Sequence, residues 1–102
     1  MKLAAGKTFD LPVVFTDYHV TLCANYPKVD GKDVLGYCHY EPRIIKVRYH
    51  VSNTELSRAT LWHEWFHAAL RELGRGELAS DEVLVDGLAN AVMRVRLEVP
   101  SL

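Results

Sequence analysis

His63-Glu64-Trp65-Phe66-His67 has the residue types for metal chemistry at the spacing that chemistry needs. On a helix, side chains four apart leave the same face about one turn along. His63 and His67 can then both reach one ion at roughly 2.0–2.1 Å from each ring nitrogen, as zinc requires. Glu64 stands beside the first histidine and points at the space next to the ion. A carboxylate there can take a proton from metal-bound water and later hand it to a leaving amine. The metal would make that water acidic near neutral pH and polarise a scissile carbonyl. The chain has 5 histidines, so a chance match has to be weighed. Chance would not also place the motif in a capped helical pattern with apolar Trp62, Trp65 and Phe66 around it. The competing reading is two solvated histidines on an exposed helix face.

A catalytic zinc usually takes three protein ligands and a water. The pattern H-E-x-x-H-x-x-G-x-x-H would need Gly and His where Leu70 and Leu73 stand, so that class is excluded. The inverted motif H-x-x-E-H is absent. What remains is a carboxylate from the following helix. Glu82 and Asp86 stand four apart on one face of it, and spacing alone does not choose between them.

His63-Glu64-x-x-His67 followed by Glu82-Val83-Leu84-Val85-Asp86 resembles the thermolysin-type gluzincin signature, H-E-x-x-H then E-x-x-x-D. That resemblance implies one Zn2+ per chain held by His63, His67 and Glu82, with Asp86 orienting the first histidine. It implies Glu64 as general base and acid, a zincin-like fold, and a peptide or unfolded protein as substrate. Two physical arguments also favour Glu82. Its extra methylene reaches further between packed helices, and the first turn of a helix keeps a carboxylate ionised. The compact layout is similar to small HExxH proteins of phages and prophages, in the ImmA/IrrE and minimal gluzincin groups. The likeness runs from about Leu35 to Val95. It includes the stretch from Leu35-Gly36-Tyr37-Cys38 to Ile45-Lys46-Val47, which resembles their hairpin before the active helix. Members of this kind pair an extended substrate with a sheet edge, and Ile44 to Tyr49 is expected to be that edge. The alternative is an ordinary edge guarded by Lys46 and Arg48.

Three tyrosines, Tyr37, Tyr40 and Tyr49, are candidates to hydrogen-bond the oxyanion of a transition state. The plainer role for each is core packing. His50 precedes the active helix and is a candidate to line the cleft, although it, His19 and His39 read first as surface or satisfied core histidines.

These residues need a frame to hold them. Phe9 to Phe15 and Tyr18 to Asn25 are rich in β-branched and aromatic residues, which predicts strands. Pro12 confines the first to a sheet edge. Residues 27–33 form a polar turn region. Val34 to Tyr40 and Ile44 to Tyr49 predict a hairpin turning at Glu41-Pro42-Arg43. The alternation of Ile45, Val47 and Tyr49 with Lys46, Arg48 and His50 gives its second strand one dry face. Ser52-Asn53-Thr54-Glu55 has capping-box spacing. The helix it opens runs to about Leu73, with an apolar stripe of Leu61, Trp62, Trp65, Phe66, Ala69, Leu70 and Leu73. Gly74 ends it in a left-handed cap. Ser80 is the expected N-cap of a second helix, whose stripe is Leu84, Leu88, Ala91, Val92 and Val95. The short loop between them predicts antiparallel helices. The expected fold is α+β: a small antiparallel-type sheet, then the HExxH helix and its partner, in one domain over residues 1–102.

Composition narrows the function. A net charge of −1 argues against a nucleic-acid footprint, which needs a basic face. No run reaches membrane-spanning length, and the apolar N-terminal stretch is too short for a signal peptide. A cytoplasmic protein is expected, with neither nucleic acid nor membrane as partner. Cys23 and Cys38 are expected to be reduced, buried thiols. The leading reading is a zinc peptidase. The rival is a zinc-stapled peptide- or protein-binding module with little turnover, which would have no use for Glu64. A metallohydrolase acting on a non-peptide amide is a third, although neither cysteine has the setting of the deformylase pattern.

Overall fold

A computed structural model describes residues 2–101. The chain is α+β, as expected. Six strands come first: β1 (Thr8–Val13), β2 (Thr16–Cys23), β3 (Lys28–Val29), β4 (Lys32–Asp33), β5 (Gly36–His39) and β6 (Ile44–Arg48). Three helices follow: α1 (Thr54–Glu72), α2 (Gly76–Ala79) and α3 (Glu82–Glu98). The main sheet has the order β1-β2-β6-β5.

Strands β1 and β2 pair antiparallel, Phe9 opposite Val20, and so do β5 and β6, Cys38 opposite Ile45. Strands β2 and β6 instead run parallel, Val20 opposite Ile45, so the sheet is mixed and not antiparallel throughout. The connection 24–43 is long enough to return the chain to the start of β2, which a tight hairpin cannot do. Within it, β3 and β4 form a small ribbon where only a polar turn was expected. Asp30 and Gly31 both have positive φ, 51° and 77°, as in a type I′ hairpin.

Period-two alternation builds the core. Tyr18, Val20 and Leu22 of β2 and Ile45, Val47 and Tyr49 on and just after β6 are buried on one face with Val13. Ala68 and Ala69 of α1 close that cluster. The buried face of α1 is therefore made of small and polar residues: Ser57, Thr60, Glu64, His67, Ala68 and Ala69. Of the expected stripe Ala69 lies on this face, and the larger side chains lie off to one side. Leu61 and Trp65 are half-buried against the core, and Leu73 is exposed. A sheet already carrying bulky side chains leaves room only for small ones at its contact with a helix. The aromatic residues lie along the flank, where Trp62, Trp65 and Phe66 meet at 5.2–6.2 Å. The indole N–H of Trp65 donates to the Pro12 carbonyl at 2.9 Å and ties α1 to the edge strand β1.

The caps also differ in register from the sequence reading. Asn53, not Ser52, caps α1 by accepting the Leu56 N–H at 3.1 Å. At the other end Gly74 has φ 77°, and the N–H groups of Gly74 and Arg75 reach the carbonyls of Arg71 and Leu70. That is a Schellman ending. Asp81, not Ser80, caps α3 by accepting the Leu84 N–H at 3.1 Å. The hydroxyl of Ser80 closes α2 on the Glu77 carbonyl instead. Helices α1 and α3 are antiparallel, with Arg96 near the end of α3 bridging to Glu55 at the start of α1 at 3.3 Å. The buried residues of α3 are Val85, Ala89 and Met93, while Ala91 and Val95 of the expected stripe are exposed. Cys23 and Cys38 are unpaired, and both are half-buried instead of fully buried. No helix among the described residues is long and apolar enough to cross a membrane.

Candidate metal centre

Helix α1 holds His63 and His67 one turn apart, and the antiparallel return of the chain brings the first turn of α3 opposite them. His63 Nε2, His67 Nε2 and a Glu82 carboxylate oxygen converge. Glu82 uses one oxygen for each ring, at 3.0 Å to His63 Nε2 and 3.0 Å to His67 Nε2. The two Nε2 atoms are 3.1 Å apart. Ligand atoms held tetrahedrally at roughly 2.0–2.1 Å from one ion lie about 3.3 Å from each other. The histidine pair stands within a few tenths of an ångström of that spacing, and the Glu82 carboxylate lies within reach of both rings.

The partners of the other ring nitrogens decide the tautomers. His63 Nδ1–H donates to Asp86 Oδ1 at 2.7 Å, and His67 Nδ1–H donates to the Ala79 carbonyl. A carbonyl and a carboxylate can only accept, so the proton of each neutral imidazole sits on Nδ1 and its Nε2 lone pair faces inward. Two nitrogen lone pairs and two carboxylate oxygens then meet with no donor among them. A cation at this point would take up all four atoms. Two imidazoles and a carboxylate are a donor set that suits zinc and other divalent transition metals.

Glu64 lies beside this group and is 7% exposed. Burial pushes its carboxyl up to about 7; His63 opposes the rise and Glu82 adds to it. Gly36 of β5 makes this placement possible. A Cβ there would come within 2.9 Å of Thr60 Cγ2 and 3.4 Å of Glu64 Cγ. Glycine thus lets the edge strand lie directly on the face of α1 that carries Thr60 and Glu64.

Two hollows flank the ligands. One of about 350 Å3 is lined by β5 and the turn after it, through Tyr37, Cys38 and Tyr40, together with His63, Glu64, His67 and Glu82. The other, about 500 Å3, lies between the segment 34–36, α1 and α3, with Leu35, Leu56, Ala59 and Ala89 among its walls. Tyr40 is held at the first hollow by Arg71, whose guanidinium lies 4.9 Å over the ring. Burial raises its phenol pKa.

Of the residues singled out in the sequence, His63, Glu64, His67, Glu82 and Asp86 come together, and Tyr37 stands at the rim. Tyr49 does not belong to the site. It is buried in the core, with its hydroxyl donating to the Leu3 carbonyl at 3.2 Å. His50 does not belong either. Its backbone N–H donates to Ser57 Oγ at 2.8 Å, and its ring meets Tyr26 edge-on at 5.8 Å. Both lie at the far end of β6, which alternation alone could not place. Strand β6 is interior, and the edge beside the ligands is β5. Three contributors escaped the sequence reading: Gly36, Cys38 in the wall, and the Ala79 carbonyl. A backbone acceptor in a one-turn helix has no side-chain signature. Compared with known proteins, the chain matches no family model, no curated protein and no solved structure.

Proposed function

We propose that the protein is a zinc-dependent peptidase acting on extended peptides or unfolded protein segments. The observation that carries this reading is the convergence of His63, His67 and Glu82 on one point, with both Nδ1 protons already engaged and a buried carboxylate alongside. Zinc bound there would supply an acidified water and polarise the scissile carbonyl. Asp86 and the Ala79 carbonyl hold both imidazoles in the tautomer that presents Nε2. Glu64, its carboxyl brought near neutrality, takes the water's proton and delivers it to the leaving amine. Tyr40 donates its phenol hydrogen to the oxygen that gains charge. The free edge of β5 accepts an extended chain by main-chain pairing, which places the scissile bond over the ligands.

A second reading has one observation behind it: the same three ligands join α1 to α3, so a metal would staple the helix pair. Such a staple needs no carboxylate at Glu64. The experiment is metal analysis of the purified chain, with cleavage of unfolded casein by wild type and by Glu64→Gln. The peptidase reading expects about one zinc in each and cleavage only in the wild type. Zinc in both with cleavage in neither selects the stapled module, and a wild type that binds no zinc removes both.

A further inference from the structure

Among the described residues Phe15 is the most exposed large apolar side chain, at 89%, and Val14 beside it is 40% exposed. They form the two-residue turn between β1 and β2, closed by the Val13–Thr16 pair. Only Val14 of the two has positive φ, 56°, the type II′ pattern in which the first position normally takes glycine. A β-branched residue is strained there. The fold thus holds an apolar tip at a place where a polar, permissive pair would be easier. Asp17, two residues on, is exposed and has no salt-bridge partner among the described residues.

On another face of α1 from the metal ligands lies an apolar groove. One hollow of about 460 Å3 is lined by Trp62, Val92 and Val95, and a second of about 320 Å3 by Leu11, Leu61 and Trp65. Trp62 and Arg96 line both, so the two hollows are neighbours on this face. Roughly 150 Å3 is enough to take up a benzene ring. Arg58 and Arg96 at the rim share one carboxylate, Glu55, at 3.8 and 3.3 Å, which leaves a surplus positive charge.

We propose that the β1–β2 tip of one copy docks in the Trp62 groove of another, with Phe15 in the apolar floor and Asp17 toward Arg58 and Arg96. Tip and groove are different places on one chain, so the contact is head-to-tail and each copy can use both halves. Its small footprint makes the assembly weak and concentration-dependent. The proposal does not rest on the peptidase reading.

The test is sedimentation equilibrium up to millimolar protein, with folding checked by circular dichroism. Wild type should associate. Phe15→Ser and Val95→Glu, both at exposed positions, should each weaken association about 30-fold, as loss of a dominant anchor does. Mixing the two variants should restore a one-to-one complex, because one retains the groove and the other the tip. A wild type that stays monomeric, a Phe15→Ser variant that associates like wild type, or a mixture that fails to pair would each overturn the proposal.

Discussion

Asp86 accepts the Nδ1 proton of His63 at 2.7 Å from one turn beyond Glu82, so a single helix face supplies both the carboxylate that meets His63 Nε2 and the one that orients its ring. The two carboxylates are therefore unequal in effect. Glu82→Ala should lose zinc almost completely. Asp86→Ala should weaken zinc binding by about 10- to 100-fold, the range for a partner acting through a ligand. Competition titrations with a chromophoric chelator measure both. The reverse ranking would make Asp86 the ligand.

Zinc should stabilise the fold by mass action, since the unfolded chain cannot bring α1 and α3 together. At free zinc 100 times the dissociation constant the gain is about 2.7 kcal/mol. For a domain of this size that corresponds to a rise in Tm of roughly 10–20 °C. Thermal melts with zinc and with a chelator check it, and His67→Ala should abolish the difference.

Gly36→Ala should disturb Glu64 more than the metal. The added methyl meets Thr60 Cγ2 and the Lys46 carbonyl at 2.9 and 3.0 Å, so β5 or α1 has to shift. Overpacking of this kind costs about 1–3 kcal/mol. Zinc affinity should change little, because neither helix that carries the ligands needs to separate. On the proposed peptidase mechanism cleavage should fall, because Glu64 is displaced. Denaturant unfolding and zinc titration separate the two effects.

The raised Glu64 carboxyl gives the metal-free protein a specific pH dependence. Its pKa is about 7 folded against 4.5 as the ordinary value. Below the lower value both states carry the proton and Glu64 adds no penalty. Between the two, the folded state keeps a proton that the unfolded state has released, so stability falls as pH rises and levels off above 7. The full loss is about 3 kcal/mol. Glu64→Gln removes this component, so the metal-free variant should be more stable than wild type at pH 8 and nearly equal near pH 4. Urea unfolding of both chains at the two pH values tests it; an unchanged difference would contradict a buried, near-neutral Glu64.

By itself the sequence determined what depends on neighbours along the chain. Side chains four apart share a helix face whatever the surroundings, so His63 with His67 and Glu82 with Asp86 were both legible. The β5–β6 hairpin and the left-handed Gly74 ending were legible for the same reason, because each is made by contiguous residues. Tertiary structure decided everything that depends on what stands opposite. The apolar stripe of α1 predicted burial of Trp62 and Leu73 along with Ala69, yet the crowded sheet admits Ala69 with Ala68 and Glu64 and leaves the larger side chains outside. Tyr40 and Tyr49 are equivalent as sequence. Only the mixed sheet, with β5 at its edge and β6 inside, puts one beside the ligands and the other in the core. The carbonyl of Ala79 has no residue identity to read, and it becomes an orienting group only because α2 passes under His67. Local geometry repeats with a fixed period, whereas packing is a property of surfaces brought together from distant parts of the chain.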